Sequence, residues 1–562
     1  MDVWAQQSSL VTRNAAVCSD QPLATNIGID ILKQGGNAAD AAVATMAAVS
    51  FLQPYSCGIG GDCHCLFYKA ADKTIRSING SGRTGKGATL EKIRGDGITD
   101  PQKREWFSHG HWVSVPGTVA GMCNIIEKFG SKKLTMKQIL EPVIKLARDG
   151  APVPYKAATM WKNNQDMFLH SKNAEDLLID GKPPSPGDII TAPKLADCFQ
   201  GIAESGAESF YCGNTAQQIA KEVQRNGGTL TAEDMKDHLT HPPIPVPSDA
   251  LSIDFHGFRV WEMRPNTMGL IALVSLNVLK TYDLKALGHN SADYIHLITE
   301  SLKYAYLTCW DYLCDPDYCS KSCEELLSAE TVKIIRNKIN YNGSVLRGSV
   351  PLSGGCDTSY VAAVDAEGNG CSFVCSVSSN FGTGIIPDDC GFVLHDRAKY
   401  MSLDGESNNA HGPYKLPLHS IIPALVTDVN TKELVAVMGV IGRWMQPQGH
   451  VQVLLNMVIF GMDPQVALNQ PRFFVGDPRP NVTYQTSFNV ICLEGGIDEG
   501  VITSLQKKGH TVRQYTQHKR EIFGKGHVIA RSTLFDKDSD ARSRHSWWSG
   551  ADYRVDSSAM GF

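Results

Sequence analysis

The stretch that most constrains the fold lies past the middle of the chain. Five runs, YVAAVD (360–365), CSFVCSV (371–377), GFVLH (391–395), IIPALVTD (421–428) and ELVAVMGV (433–440), follow one another there with turn residues between them. β-Branched and aromatic residues dominate the runs, while stretches such as Asp365-Ala366-Glu367-Gly368-Asn369-Gly370 fill a gap. Turns this short join antiparallel neighbours, because parallel strands need a crossover of a dozen or more residues. Such a sheet must be covered, and the rest of the chain offers helices to do so. From Ala24 to Pro54 apolar positions recur at helical spacing. Gly35-Gly36 ends one helix, and Asn37, with Asp40 three residues later, caps the next. The second helix is so rich in alanine that it must pack closely on a neighbour. CHCLFYK and TIRSI, around the polar turn Ala71-Asp72-Lys73, read as a hairpin, and from about Ile93 to Val332 the pattern is mostly helical. No domain boundary and no solenoid-length repeat interrupts this order. The expectation is one α/β (α+β) body of antiparallel sheets flanked by helices.

At 562 residues, 42% apolar and 20% charged, the chain is an ordinary well-cored globular protein. A net charge of -5 without a long basic block gives no electrostatic footprint for nucleic acid. No run of eighteen apolar residues is present to form a transmembrane segment. The amino terminus shows no basic stretch followed by an apolar one, so the default location is cytoplasmic, with extracellular release left open. Sixteen cysteines are scattered without the paired C-x-x-C spacing of a zinc site, and are expected to be free buried thiols. No metal and no other cofactor is expected. His296, Glu300 and Lys303 share one helical face, read as a solvated or core-bridging face in preference to a ligand set. The glycines of GIGG (58–61) lack the preceding strand and closing G-K-S/T of a phosphate loop.

The chemistry points to Thr358. H-E-x-x-H, G-x-S-x-G and a strand-borne G-x-G-x-x-G are all absent, and a thiol nucleophile at Cys356 has no assigned histidine. A threonine hydroxyl attacks only when a base takes its proton, and its own α-amine, with a pKa of about 8, is one such base. An internal threonine has no free amine. The Asp357-Thr358 bond must therefore be cut, which the same hydroxyl can do by attacking the preceding carbonyl to form an ester that water resolves. The products would be residues 1–357 and 358–562 of one intertwined domain. Spacing alone permits this mechanism, while a threonine opening a strand for its β-branch is the competing explanation.

DTSYVAAVDAEGN, followed by SSNFGTGIIPDDCGFVLHDR, resembles the start of the small subunit of the γ-glutamyltransferase (glutathione hydrolase) family of N-terminal-nucleophile hydrolases. GGNAADAAVA, GIGGD, SVPGTVAGM, KLPLHSIIPALV, MQPQGHVQVLLNMVIFGMDPQVALNQPR and the terminal GADYRVDSSAMGF agree in order along nearly the whole chain. The resemblance implies a four-layer αββα sandwich, with strands contributed by both fragments of a large–small heterodimer. It implies Thr358 as nucleophile, Ser376 as its supporting hydroxyl, and the backbone of Gly442 and Arg443 as oxyanion hole, where the family has Gly-Gly. A positive φ at Arg443, if retained, would strain that residue.

For substrate binding, Arg83 stands two positions from the family's arginine, with Ser81 in the usual place. His419-Ser420 replaces a Ser-Ser pair, and Ser378, Arg397 and Tyr400 occupy the amine-binding positions. No acid remains among these, so an ammonium would be repelled and Arg397 would suit a carboxylate held bidentately. This pattern resembles a divergent, acylase-related branch of the family. The implied activity is acyl transfer from a small γ-glutamyl amide such as glutathione to water or an amine. The alternatives are cleavage of a glutaryl-type amide, or a catalytically weak effector of the kind found in arthropod venoms and secretions.

Overall fold

Two antiparallel sheets stack face to face in the computed structural model, which describes residues 8–101, 103–344, 358–478, 488–536 and 545–562. Cys356 and Asp357, and with them the expected scissile bond, lie outside the described residues. One sheet has seven strands in the order Leu10–Thr12, Trp547–Ala551, Lys525–Arg531, Leu434–Ile441, Ala424–Asp428, Phe258–Glu262, Leu251–Phe255. The other has six, in the order Ser558–Gly561, Ala16–Ser19, Ser359–Val364, Gly370–Ser376, Asp62–Lys69, Thr74–Gly80. Each sheet takes strands from both sides of residue 358. The facing surfaces share a dry layer built from Leu66, Tyr360, Ala362 and Val374 on one side and Leu425, Val437, Ile529 and Trp547 on the other. Helices cover both outer faces. Pro22–Lys33 and Ala38–Leu52 lie on the six-stranded sheet, with Met136–Asp149 packed outside Ala38–Leu52; Gly269–Leu279 and Met445–Val458 lie on the seven-stranded one, with Ala292–Cys309 packed on Gly269–Leu279. The result is the four-layer αββα sandwich.

The alanine-rich helix Ala38–Leu52 is buried on every side, as its small side chains require. Asn37 accepts from the amides of Ala39 and Asp40 while Asp40 accepts from the amide of Asn37, a complete capping box. Three expectations need correction. The region expected to be mostly helical contains the hairpin Leu251–Phe255/Phe258–Glu262, whose turn has positive φ at His256 and Gly257. GFVLH is not a strand: the amide of Leu394 donates to Ile385 and that of His395 to Gly60, so its backbone is spent on loops. The strand in IIPALVTD starts at Ala424, since Pro423 has no N–H to give a ladder.

Register sets the functional end of the sandwich. Ser376 pairs with Asp62, and Cys375 with Ser359, directly after Thr358. Across the layer, a Cβ on Gly439 would meet the Tyr360 ring at 2.6 Å, whereas one on Gly370 would meet Leu434 at 2.4 Å. Strand Leu434–Ile441 therefore runs toward the Thr358/Ser376 end and delivers Gly442 and Arg443 there.

Candidate active site

Thr358 is buried at the mouth of strand Ser359–Val364, and its hydroxyl donates to Ser376 Oγ at 3.3 Å. Ser376 Oγ also accepts from the amide of Ser378 at 2.9 Å, which orients its lone pairs toward the threonine. Ser378 itself holds φ +79°, turning the chain sharply after the strand. The start of the threonine strand is braced from below. Asp20 accepts from the Tyr360 amide at 3.3 Å and from His527 Nε2 at 2.8 Å, and the Ser359 hydroxyl donates to Gln53 at 3.2 Å.

Beside Ser376, in the neighbouring strand, stands a fully buried acid that the sequence reading did not single out. Asp62 Oδ2 accepts from His419 Nε2 at 2.8 Å, and its Oδ1 accepts from the Gly117 amide at 3.1 Å. The Arg397 Nε lies 4.0 Å and the His395 Nδ1 3.9 Å from the same carboxylate. Burial pushes the Asp62 carboxyl up from its usual range, against the pull of His395 and Arg397. Burial also holds both histidines below the ordinary imidazole value, His419 well below it with Arg397 adding to the effect, so they are neutral hydrogen-bonding groups. Arg397 donates through Nη1 to Ser420 Oγ at 3.1 Å. His64 packs edge-on against His419 at 4.5 Å between ring centroids and reaches Asn79 Oδ1 at 3.0 Å.

Gly442 and Arg443 form the turn into helix Met445–Val458, with φ +129° and +51°. The arginine thus does occupy the left-handed region. The carbonyl of Gly442 accepts from Met445 and that of Arg443 from Gln446, so both peptide units are locked at a helix amino terminus, where the dipole favours negative charge. The Arg443 guanidinium lies over the Tyr400 ring at 4.7 Å and the Trp444 ring at 5.9 Å, and the Arg397 guanidinium also approaches the Tyr400 ring, at 6.0 Å. Tyr400 therefore ties the Arg397 turn to the Arg443 turn.

The structure brings Thr358, Ser376, Ser378, Arg397, Tyr400, His419, Ser420, Gly442 and Arg443 to one end of the sandwich. Arg83 makes its contacts elsewhere, donating to the carbonyl oxygens of His241 and Pro243 and stacking on Tyr414 at 4.5 Å. Ser81, in contrast, joins the polar network under His419 through Asn79 and Asn266. A cavity of about 720 Å³ lined by Arg76, Asn79, Arg264 and Glu324 does not take in Thr358, and the chemistry is placed by hydrogen bonding instead. Two groups of metal-ligating types occur among the described residues. In His296, Glu300 and His510 the Lys303 ammonium donates to Glu300 at 2.9 Å, a cation where a metal would sit; the face read from the sequence is thus a buried network. In Asp96, His109 and His111, Asp96 bonds His111 directly at 2.7 Å. Neither group contains a residue of the Thr358 cluster.

An αββα sandwich with a hydroxyl nucleophile candidate opening a central strand defines the N-terminal-nucleophile hydrolase class. Within it, residues 24–562 match the Gamma-glutamyltranspeptidase family, and the chain belongs to that family of enzymes. It is 31% identical over 505 residues to the glutathione hydrolase-like YwrD proenzyme of Bacillus subtilis, covering 90% of this chain and 92% of that one. The glutathione hydrolase proenzyme of Escherichia coli is 30% identical over 518 residues, covering 89% of this chain and 86% of that one. Among solved structures, cephalosporin acylase from Bacillus halodurans superimposes with a TM-score of 0.87 at 30% identity, covering 100% of this chain and 98% of that one. Among the described residues no helix is long and apolar enough to cross a membrane.

Proposed function

We propose that the chain cuts itself between Asp357 and Thr358 and then works as a threonine amidohydrolase or transferase. Its large and small fragments remain paired, and its donor is a γ-glutamyl amide such as glutathione. The observation that carries this reading is the hydrogen bond from the Thr358 hydroxyl to Ser376 at the start of a central strand. After cleavage the new α-amine takes the hydroxyl proton, and Oγ1 attacks the amide carbonyl. The amides of Gly442 and Arg443 stabilise the oxyanion, and the amine returns the proton to the leaving nitrogen. Water or an amine then resolves the acyl-threonine ester. Arg397 and Ser420 hold the carboxylate end of the acyl chain, and Ser378, Tyr400 and His419 line it; Arg83, engaged on His241, Pro243 and Tyr414, takes no part.

The second reading, a glutaryl-type acylase, draws on Arg397 in the amine-binding position and on the likeness to cephalosporin acylase. Denaturing electrophoresis of purified wild type and Thr358→Ala tests the nucleophile. Two bands for the wild type and one for the variant are expected. A wild type that stays uncut would remove the assignment.

A further inference from the structure

We infer that Asp62 sets the charge preference of the acyl site, selecting acyl chains that carry a compensating positive group, or no charge, over purely anionic ones. The inference rests on the acyl-transfer reading above and adds the substrate class that this reading leaves open. Counted from the amine-binding positions alone, the pocket has a guanidinium and no acid. The fold supplies the acid from another element: strand Asp62–Lys69 places its first residue opposite Ser376, two strands from the strand that Thr358 opens. Asp62 is fully buried, 2.8 Å from His419 Nε2 and 4.0 Å from Arg397 Nε. Asp396, the acid next to Arg397 in sequence, is engaged instead by the Ser379 hydroxyl at 2.5 Å and Lys399 at 3.5 Å.

Two consequences follow from this geometry. The Asp62 carboxylate offsets the Arg397 guanidinium, so this pair carries no net charge. An acyl chain whose carboxylate reaches Arg397 meets a second carboxylate beside the same guanidinium, and its negative charge is not matched. A chain with an ammonium beside its carboxylate adds no net charge. Asp62 also fixes a tautomer: with the Nε2 proton of His419 given to Asp62, Nδ1 is left as an acceptor, and it is buried with no partner among the described residues. That nitrogen suits an N–H donor on the acyl chain. Asp62 is thus a positioning residue, acting through Arg397 and His419 without touching the scissile amide.

The test compares γ-glutamyl and glutaryl 4-nitroanilides, which share a leaving group, on wild type and Asp62→Asn. Asparagine keeps the volume and an acceptor for His419 but removes the charge. With charges roughly 7 Å apart at an effective dielectric of about 20, the glutaryl to γ-glutamyl ratio of kcat/KM should rise on the order of 10- to 100-fold in the variant. Damage to folding alone lowers both rates together and leaves the ratio unchanged, which overturns the inference. Wild type gives a measurement that needs no variant: L-glutamate should inhibit at lower concentration than glutarate, and the reverse order overturns the inference. A wild type that turns over both donors with a ratio indifferent to Asp62→Asn refutes this role alone. A wild type that turns over neither donor and binds neither inhibitor refutes the acyl-transfer reading together with it.

Discussion

Ser376→Ala removes the hydroxyl that accepts from both Thr358 Oγ1 at 3.3 Å and the Ser378 amide at 2.9 Å. Losing a neutral hydrogen bond costs about 1 kcal/mol, and leaving a buried amide unsatisfied costs about 1–3 kcal/mol more. The first loss falls on Thr358, the proposed nucleophile. With about 1.4 kcal/mol per tenfold in rate, misorientation of the Thr358 hydroxyl on this scale lowers kcat and kcat/KM together by about fivefold. The amide penalty falls on stability and is separable from the rate. Ser372, on the same strand, provides the control: it bonds Tyr360 Oη at 2.7 Å and the Ala424 amide at 3.1 Å, equally buried and equally satisfied. Ser372→Ala should destabilise by a similar amount and leave kcat at the wild-type value. Steady-state kinetics on a γ-glutamyl anilide, with urea denaturation on the same preparations, measures both quantities. A Ser376→Ala enzyme with wild-type kcat, or a Ser372→Ala enzyme that loses as much, would refute the reasoning.

Arg443→Gly should be nearly neutral for stability, because relief of a left-handed arginine, about 1–2 kcal/mol, is offset by loss of its stacking on Tyr400 and Trp444, about 0.5–1 kcal/mol each. The amides proposed for the oxyanion keep their places in the turn, so kcat should stay within about threefold of wild type; a larger fall would show that the side chain, not the backbone, serves the reaction. In acid, His64 and His238 are decisive, since burial holds both down to about 4. An unfolded histidine binds its proton near 6.5, so between that pH and about 4 the unfolded chain carries more protons and stability falls with falling pH. Urea midpoints measured from pH 8 to 4.5 should drop through this window, and flat midpoints would show these rings to be solvated.

Much of the architecture was readable from local pattern. The capping box at Asn37 and Asp40, the alanine helix and the runs at 360–365 and 371–377 each depend on neighbours within a few residues, and the structure has them in place. Where a segment's fate depended on distant partners, pattern misled. GFVLH has strand composition but gives its amides to loops at Ile385 and Gly60, and LSIDF/FRVWE became strands because a sheet edge was there to receive them.

The site divides along the same line. Thr358, Ser376 and the Gly442-Arg443 turn are named by motif, and local chemistry explains them: a hydroxyl at a strand start, a hydroxyl at the end of the paired strand, two amides at a helix terminus. Asp62 was hidden inside a motif that reads as a glycine turn, and nothing within ten residues of it hints at Arg397 or His419. Those meet it only because the sheet register sets Ser376 against Asp62 and the 395–420 segment folds over that edge. The family and its class of chemistry were legible in the sequence, since the motifs that carry them, the proposed nucleophile and its strand among them, are local. The charge of the pocket was decided by tertiary structure alone, because a buried charge takes its meaning from whatever the fold places within a few ångströms of it.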